Sequence, residues 1–154
     1  NTSFICTTAI TQSLKTRWER ATFSFLKEAG LGDNASDQTV VTAAAEITRV
    51  LNKWFDMLVE MHSKSDRFYH TLVHLEEMFC YMDILLQQPV NSDGTARHPG
   101  NNDQSDDEDC CYGPMIIALA IFFHDAVYNP KSSTNEEDSA ELYRTFSSEL
   151  SSVV

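Results

Sequence analysis

The stretch Pro114–Tyr128, PMIIALAIFFHDAVY, decides the fold. Pro114 suits the first turn of a helix, where a backbone N–H has no partner in any case. The residues after it are apolar nearly all round a helical wheel, so this helix is expected to be the central buried element. Its end breaks the pattern. Met115–Phe123 is the longest apolar run in the chain, and His124 and Asp125 follow it directly. An ionised carboxylate is expensive to bury unless it is paired or coordinates a metal. Neutral imidazole beside carboxylate suits a borderline divalent ion. As neighbours on a helix their Cβ vectors differ by about 100°, but both reach one ion near the helix end if the carboxylate arm swings.

A second signal lies upstream in RFYHTLVHLEEM, Arg67–Met78. His70 and His74 are spaced i, i+4, so on a helix they share one face. The expectation is that His74, His124 and Asp125 bind a metal, with His70 a further ligand or a proton donor beside it. A catalytic ion needs few protein ligands and an open position for water. It lowers the pKa of that water and polarises a phosphoryl oxygen, and a neighbouring imidazole can protonate the leaving oxygen. His62 and His98 have no partners at ligand spacing and are expected on the solvated surface.

Working outward, nearly every periodic segment is helical. Ser13–Ala29 places Leu14, Trp18, Ala21, Phe25 and Leu26 at three- and four-residue steps, and Gly30 is a natural stop. After the polar linker Leu31–Asp37, the run Gln38–His62 carries Ile47, Leu51, Trp54, Phe55, Leu58 and Met61 on one stripe. Tyr69–Gln88 is a third candidate, ended by Pro89. The fourth, Pro114–Tyr128, is ended by Asn129-Pro130. Ser133 or Thr134 can cap a fifth, with Glu136 or Glu137 completing a capping box, and it runs to about Leu150. No segment alternates like a strand, and none repeats. The chain is therefore expected to be all-α, one domain over residues 1–154 forming a compact bundle of about five helices. An acidic, flexible surface loop at 91–113, containing the block Asp106–Asp109, is expected between the third and fourth helices. Tyr69, Phe123 and Tyr128 are expected mostly in the core, within reach of a pocket wall.

Composition excludes several classes. The net charge is −12, which argues against gripping a nucleic-acid backbone. It does not exclude a small phosphorylated substrate, because a bound divalent ion supplies local positive charge. No apolar run reaches the roughly 18–20 residues that span a bilayer, and Asn1–Thr11 does not read as a signal peptide. Cys6, Cys80, Cys110 and Cys111 lack zinc-ribbon or CxxC spacing and are expected to be free thiols in a reducing, cytoplasmic setting. The absence of an initiator Met reads as trimming.

Three motifs in order, YHTLVH at 69–74, FFHDAVYNP at 122–130 and NEEDSAEL at 135–142, carry a resemblance. The chain resembles the HD superfamily of metal-dependent phosphohydrolases. More narrowly, it is similar to small predicted HD-domain phosphohydrolases with a YHNLxH…FHDAVYDP…NEExSA pattern. The resemblance covers roughly Arg67–Leu150, with a looser match at Leu14–Trp18. It implies an HD-type bundle and a divalent ion (Mn, Fe, Mg, Zn or Co). His74, His124 and Asp125 would be its ligands, with Asp125 able to bridge two ions, and His70 the general acid. Glu136 and Glu137 would orient water or ligands, against the competing reading of favourable charge at a helix N-terminus. The implied activity is hydrolysis of a small phosphate ester or nucleotide by a metal-activated water.

Three features depart from the pattern. Thr71 stands where the family has Asn, residues 91–113 look inserted, and the family's distal Asp is missing. Asp138 lies too near the start of the fifth helix to replace it. Either the chain continues beyond Val154, or another group substitutes, or the site is impaired; the Ser-Ser-Val-Val end favours the first. Two rival readings follow. One is a di-iron HD-type oxygenase, whose ligand types overlap with those of the hydrolases. The other is a non-catalytic helical module, metal-stabilised or metal-free, whose acidic loop meets a basic partner.

Overall fold

The computed structural model describes residues 2–28, 38–86 and 112–153. They form five helices, α1 (Thr2–Glu28), α2 (Gln38–His62), α3 (Leu72–Leu86), α4 (Tyr112–Phe123) and α5 (Asn135–Ser151). No strand occurs among the described residues, and the class is all-α as the periodicity requires. The acidic block, the third helix's expected stop at Pro89, and Cys110 and Cys111 lie outside the described residues. So do His98 and the side chains of Cys6, Phe25 and Leu26.

The stripes become the core. On α1, Leu14, Trp18 and Ala21 are buried. On α2 the buried set is Ile47, Val50, Leu51, Trp54, Phe55 and Leu58. Helix α1 packs on α2, α3 and α4, and α5 closes the other side against α2 and α4. Trp18 stands at the centre, its ring 5.2 Å from Phe122, 5.6 Å from Phe146, 6.2 Å from Phe55 and 6.3 Å from Phe123. Tilted and edge-on aromatic pairs of this kind add about 0.5–1.5 kcal/mol each beyond the area they bury. Both indoles find acceptors: Trp18 Nε1 donates to the Leu51 carbonyl at 3.1 Å, and Trp54 Nε1 donates to Glu149 Oε2 at 2.9 Å.

Several expected boundaries move. Helix α1 starts at Thr2, well before Ser13, and Thr11 and Thr16 turn their hydroxyls back onto the carbonyls of Thr7 and Gln12. Helix α3 starts at Leu72, so Tyr69 and His70 precede it. Helix α4 stops at Phe123 rather than Tyr128, which leaves His124 and Asp125 just beyond its last turn. The residues that follow are held by side chains from elsewhere. Val127 N–H donates to Ser139 Oγ, and Asn135 bonds both backbone groups of Asn129.

Three further expectations are corrected. Helix α4 is not buried all round: Leu119, Ile121, Phe122 and Phe123 face the core, while Ile116 and Ile117 are exposed. Tyr69 is also exposed rather than in the core. The capping box does not form. Thr134 occupies the N-cap position of α5 without a side-chain cap, and its hydroxyl donates to Asp138 Oδ2 instead. Glu136, Glu137 and Asp138 still place negative charge in the first turn, where the helix dipole favours it.

Candidate metal centre

Two backbone turns build the site. One is the segment 68–71 that enters α3; the other is the segment 124–127 that leaves α4. His70 lies in the first turn, His74 on the opening turn of α3, and His124 and Asp125 in the second. One ligand atom from each of these four half-buried side chains lies within 4.8 Å of every other. His70 and His74 therefore meet as expected, but not by sharing a helical face, because His70 is off the helix. Likewise His124 and Asp125 converge from a turn and not from a helix wheel.

The four side chains could hold a metal ion, and two of the imidazoles also face the Asp125 carboxylate. His124 Nδ1 lies 2.8 Å from the Ile121 carbonyl. A proton on Nδ1 serves that carbonyl and leaves the Nε2 lone pair facing Asp125 Oδ2 at 2.8 Å. His70 Nδ1 is also 2.8 Å from the same oxygen, yet it is buried and off the line a hydrogen bond needs. His74 Nδ1 is buried without a hydrogen-bond partner too. Burial, reinforced by His124 and His70, pushes the His74 imidazole below its ordinary pKa, toward the neutral form that a metal binds. Lone pairs this close repel unless a proton or a cation lies among them, and a ligating His characteristically gives its other N–H to a carbonyl. Three imidazoles and one carboxylate thus fit a divalent transition ion.

Behind the four donors lie two residues that spacing did not single out as site residues. Arg67, 6% exposed, donates from Nη1 to the carbonyls of His70 at 3.0 Å and Asp125 at 2.7 Å, and from Nη2 to the carbonyl of Ala126. Its guanidinium lies 5.3 Å from the centre of the Tyr128 ring. His62 was expected at the surface but is 1% exposed. Its Nδ1 lies 3.3 Å from the His70 carbonyl and its Nε2 3.4 Å from the Phe122 carbonyl. Burial, with Arg67 beside it, lowers its pKa from 6.5 to about 4. The signal for His62 was present: it falls four residues after Leu58, on the buried stripe of α2. Arg67 had no comparable signal, because its partners are main-chain groups distant in sequence.

The remaining candidates lie apart from the four. Glu136 and Glu137 are exposed on α5. Glu136 reaches the neighbourhood by lining an apolar cavity of about 430 Å³ between α4 and α5, shared with His124, Ile116, Leu119, Phe123 and Tyr143. Asp138 is occupied by the Thr134 hydroxyl and does not join the cluster. Cys80 is a free, exposed thiol. No helix among the described residues is long and apolar enough to cross a membrane. No protein-family model, no curated protein and no solved structure matches this chain.

Proposed function

We propose that the chain is a metal-dependent phosphohydrolase of the HD type, acting on a small phosphate ester. The observation that carries this reading is the convergence of His70, His74, His124 and Asp125 on one point, with His70 Nδ1 and His74 Nδ1 buried and without a hydrogen-bond partner. His74, His124 and Asp125 would hold the ion. A bound divalent ion supplies a hydroxide-like water at neutral pH and a Lewis acid for the phosphoryl oxygen. His124 keeps its Nδ1 proton on the Ile121 carbonyl, which holds the ring in one tautomer and orientation. His70 can serve as a fourth ligand or hand a proton to the leaving oxygen. The apolar cavity that shares His124 would take the uncharged part of the ester, with Glu136 at its polar rim. Glu136 and Glu137 would orient water or substrate. The net charge of −12 sets this apart from a nucleic-acid-binding role. The exposed thiol of Cys80 suits a cytoplasmic setting.

The test is metal content by plasma mass spectrometry together with hydrolysis of 1-naphthyl phosphate, on the wild type and on His124→Ala. Near-stoichiometric metal and hydrolysis are expected in the wild type, and both should fall in the variant with the helical spectrum unchanged. Metal that is bound without hydrolysis across a panel of phosphate esters would leave a metal-binding protein and remove the phosphohydrolase. Hydrolysis that survives in His124→Ala would remove the site.

A further inference from the structure

Resting on the reading of this cluster as a metal site, we propose that Arg67 is a positioning residue. It ties the turn carrying His70 to the turn carrying Asp125 and so sets metal affinity and geometry without touching the ion. The two turns are 58 residues apart at their Arg67–Asp125 link. The guanidinium donates to three main-chain carbonyls at or beside the ligands, those of His70, Asp125 and Ala126, and its Nη1 also lies 3.5 Å from His62 Nδ1. With its carbonyl held on the Arg67 side, Asp125 presents its carboxylate to His70 and His124 on the other side.

Only arginine meets this demand. Its planar fork offers five N–H donors at fixed angles, and the guanidinium keeps its charge even though burial pulls its pKa down. Lysine carries its donors on one nitrogen and lacks the two-nitrogen fork that reaches all three carbonyls. The Tyr128 face packs against the guanidinium, and His62 closes the remaining space against the same His70 carbonyl. A buried cation is a costly way to join two turns if packing is the only purpose. Its cost is intelligible if sub-ångström placement of the ligands matters, since outer-shell partners of metal ligands typically affect affinity about 10–100-fold.

The test is a Co²⁺ titration followed by visible absorption, which reports coordination geometry, with Mn²⁺ affinity by calorimetry. It compares the wild type, Arg67→Met, Arg67→Lys and, as a half-buried arginine in a different setting, Arg17→Met. Arg67→Met and Arg67→Lys should each weaken Mn²⁺ binding at least about 10-fold and alter the Co²⁺ spectrum, while Arg17→Met changes neither. Arg67→Lys retains charge and stem, so it carries the test if Arg67→Met does not fold. A folded Arg67→Lys with wild-type affinity and spectrum overturns the proposal. A wild type that binds neither ion defeats the metal reading separately. The positioning is then judged on the metal-free protein, from backbone amide resonances of Thr71, Ala126 and Val127. Shifts confined to these residues in Arg67→Lys support it, and unchanged resonances overturn it.

Discussion

Two of the polar side-chain clusters among the described residues are built on opposite principles. Between α1 and α3, Arg17 donates to both oxygens of Asp83, at 3.2 and 2.8 Å, and lies 3.8 Å from Glu76, which in turn accepts from Ser13. Opposite charges face each other there. Asp83 is held below the ordinary carboxylate range chiefly by the Arg17 hydrogen bond. At the other cluster, three imidazoles and one carboxylate turn lone pairs toward a common point, and the adjacent cation, Arg67, gives its hydrogen bonds to carbonyls behind them. In the first cluster Arg17 Nε and Glu76 Oε2 make no hydrogen bond, but each already faces an opposite charge. The second acquires a partner for its lone pairs only from a cation or a proton. What separates a structural ion network from a ligand site is therefore the direction of the donors and not the number of charges.

The largest effect that can break this comparison comes from Asp125→Asn. The substitution preserves size, removes the charge, and gives the imidazole lone pairs an N–H to accept. Mn²⁺ affinity should fall by more than about 100-fold, beyond the usual effect of an outer-shell partner. The metal-free protein should be unchanged or stabilised by about 1 kcal/mol, the usual size of one added hydrogen bond. Calorimetric titration and a thermal melt without metal measure the two. A metal-free variant markedly less stable than wild type would mean that the carboxylate was already satisfied, and the contrast with the Arg17 cluster would vanish.

The next effect sharpens the comparison through pH. His62 has its pKa lowered from 6.5 to about 4 in the folded metal-free chain. The unfolded chain therefore binds the proton first as pH falls. The stability that goes with neutral His62 is complete above about pH 6.5 and is lost as pH drops toward 4. At about 1.4 kcal/mol per pKa unit, the loss amounts to about 3 kcal/mol. Urea midpoints at neutral pH and near pH 4.5 should differ accordingly, and His62→Gln, which cannot titrate, should flatten that slope. An identical slope in His62→Gln would show that the acid sensitivity arises elsewhere.

How much of this was legible before the structure follows from where each residue's partners lie. The α2 stripe through Ile47, Leu51, Trp54, Phe55 and Leu58 was legible because its partners are local turns of one helix. The His and Asp residues stood out because such groups are conspicuous within apolar runs. The start of α3 and the end of α4 were not legible. They are set by Arg67, Ser139 and Asn135 bonding to backbone that a propensity reading assigns to the helices or their stops. The exposed side of α4 was hidden for another reason: where every residue is apolar, as at Ile116 and Ile117, no pattern distinguishes the open face.

The smallest effect is the most discriminating. Arg17→Met removes the cation of the first cluster, whose side chains are 20–41% exposed. Water and salt screen such pairs, so the expected loss is at most about 1 kcal/mol. It should shrink further between about 0.05 and 0.5 M salt, as the screening length shortens. Asp83 has a depressed pKa, so its share is present above the ordinary carboxylate range and is lost as pH falls below that range through the lowered pKa. Metal affinity should not move. Helix α3 nevertheless joins the two clusters, with His74 on its first turn and Glu76 and Asp83 further along. If Arg17→Met weakened metal binding as much as Arg67→Lys, the two clusters would be one coupled unit transmitted along that helix. Retained affinity with a slightly lower urea midpoint would establish that the molecule keeps its structural charges and its ligand set apart, although one helix carries both.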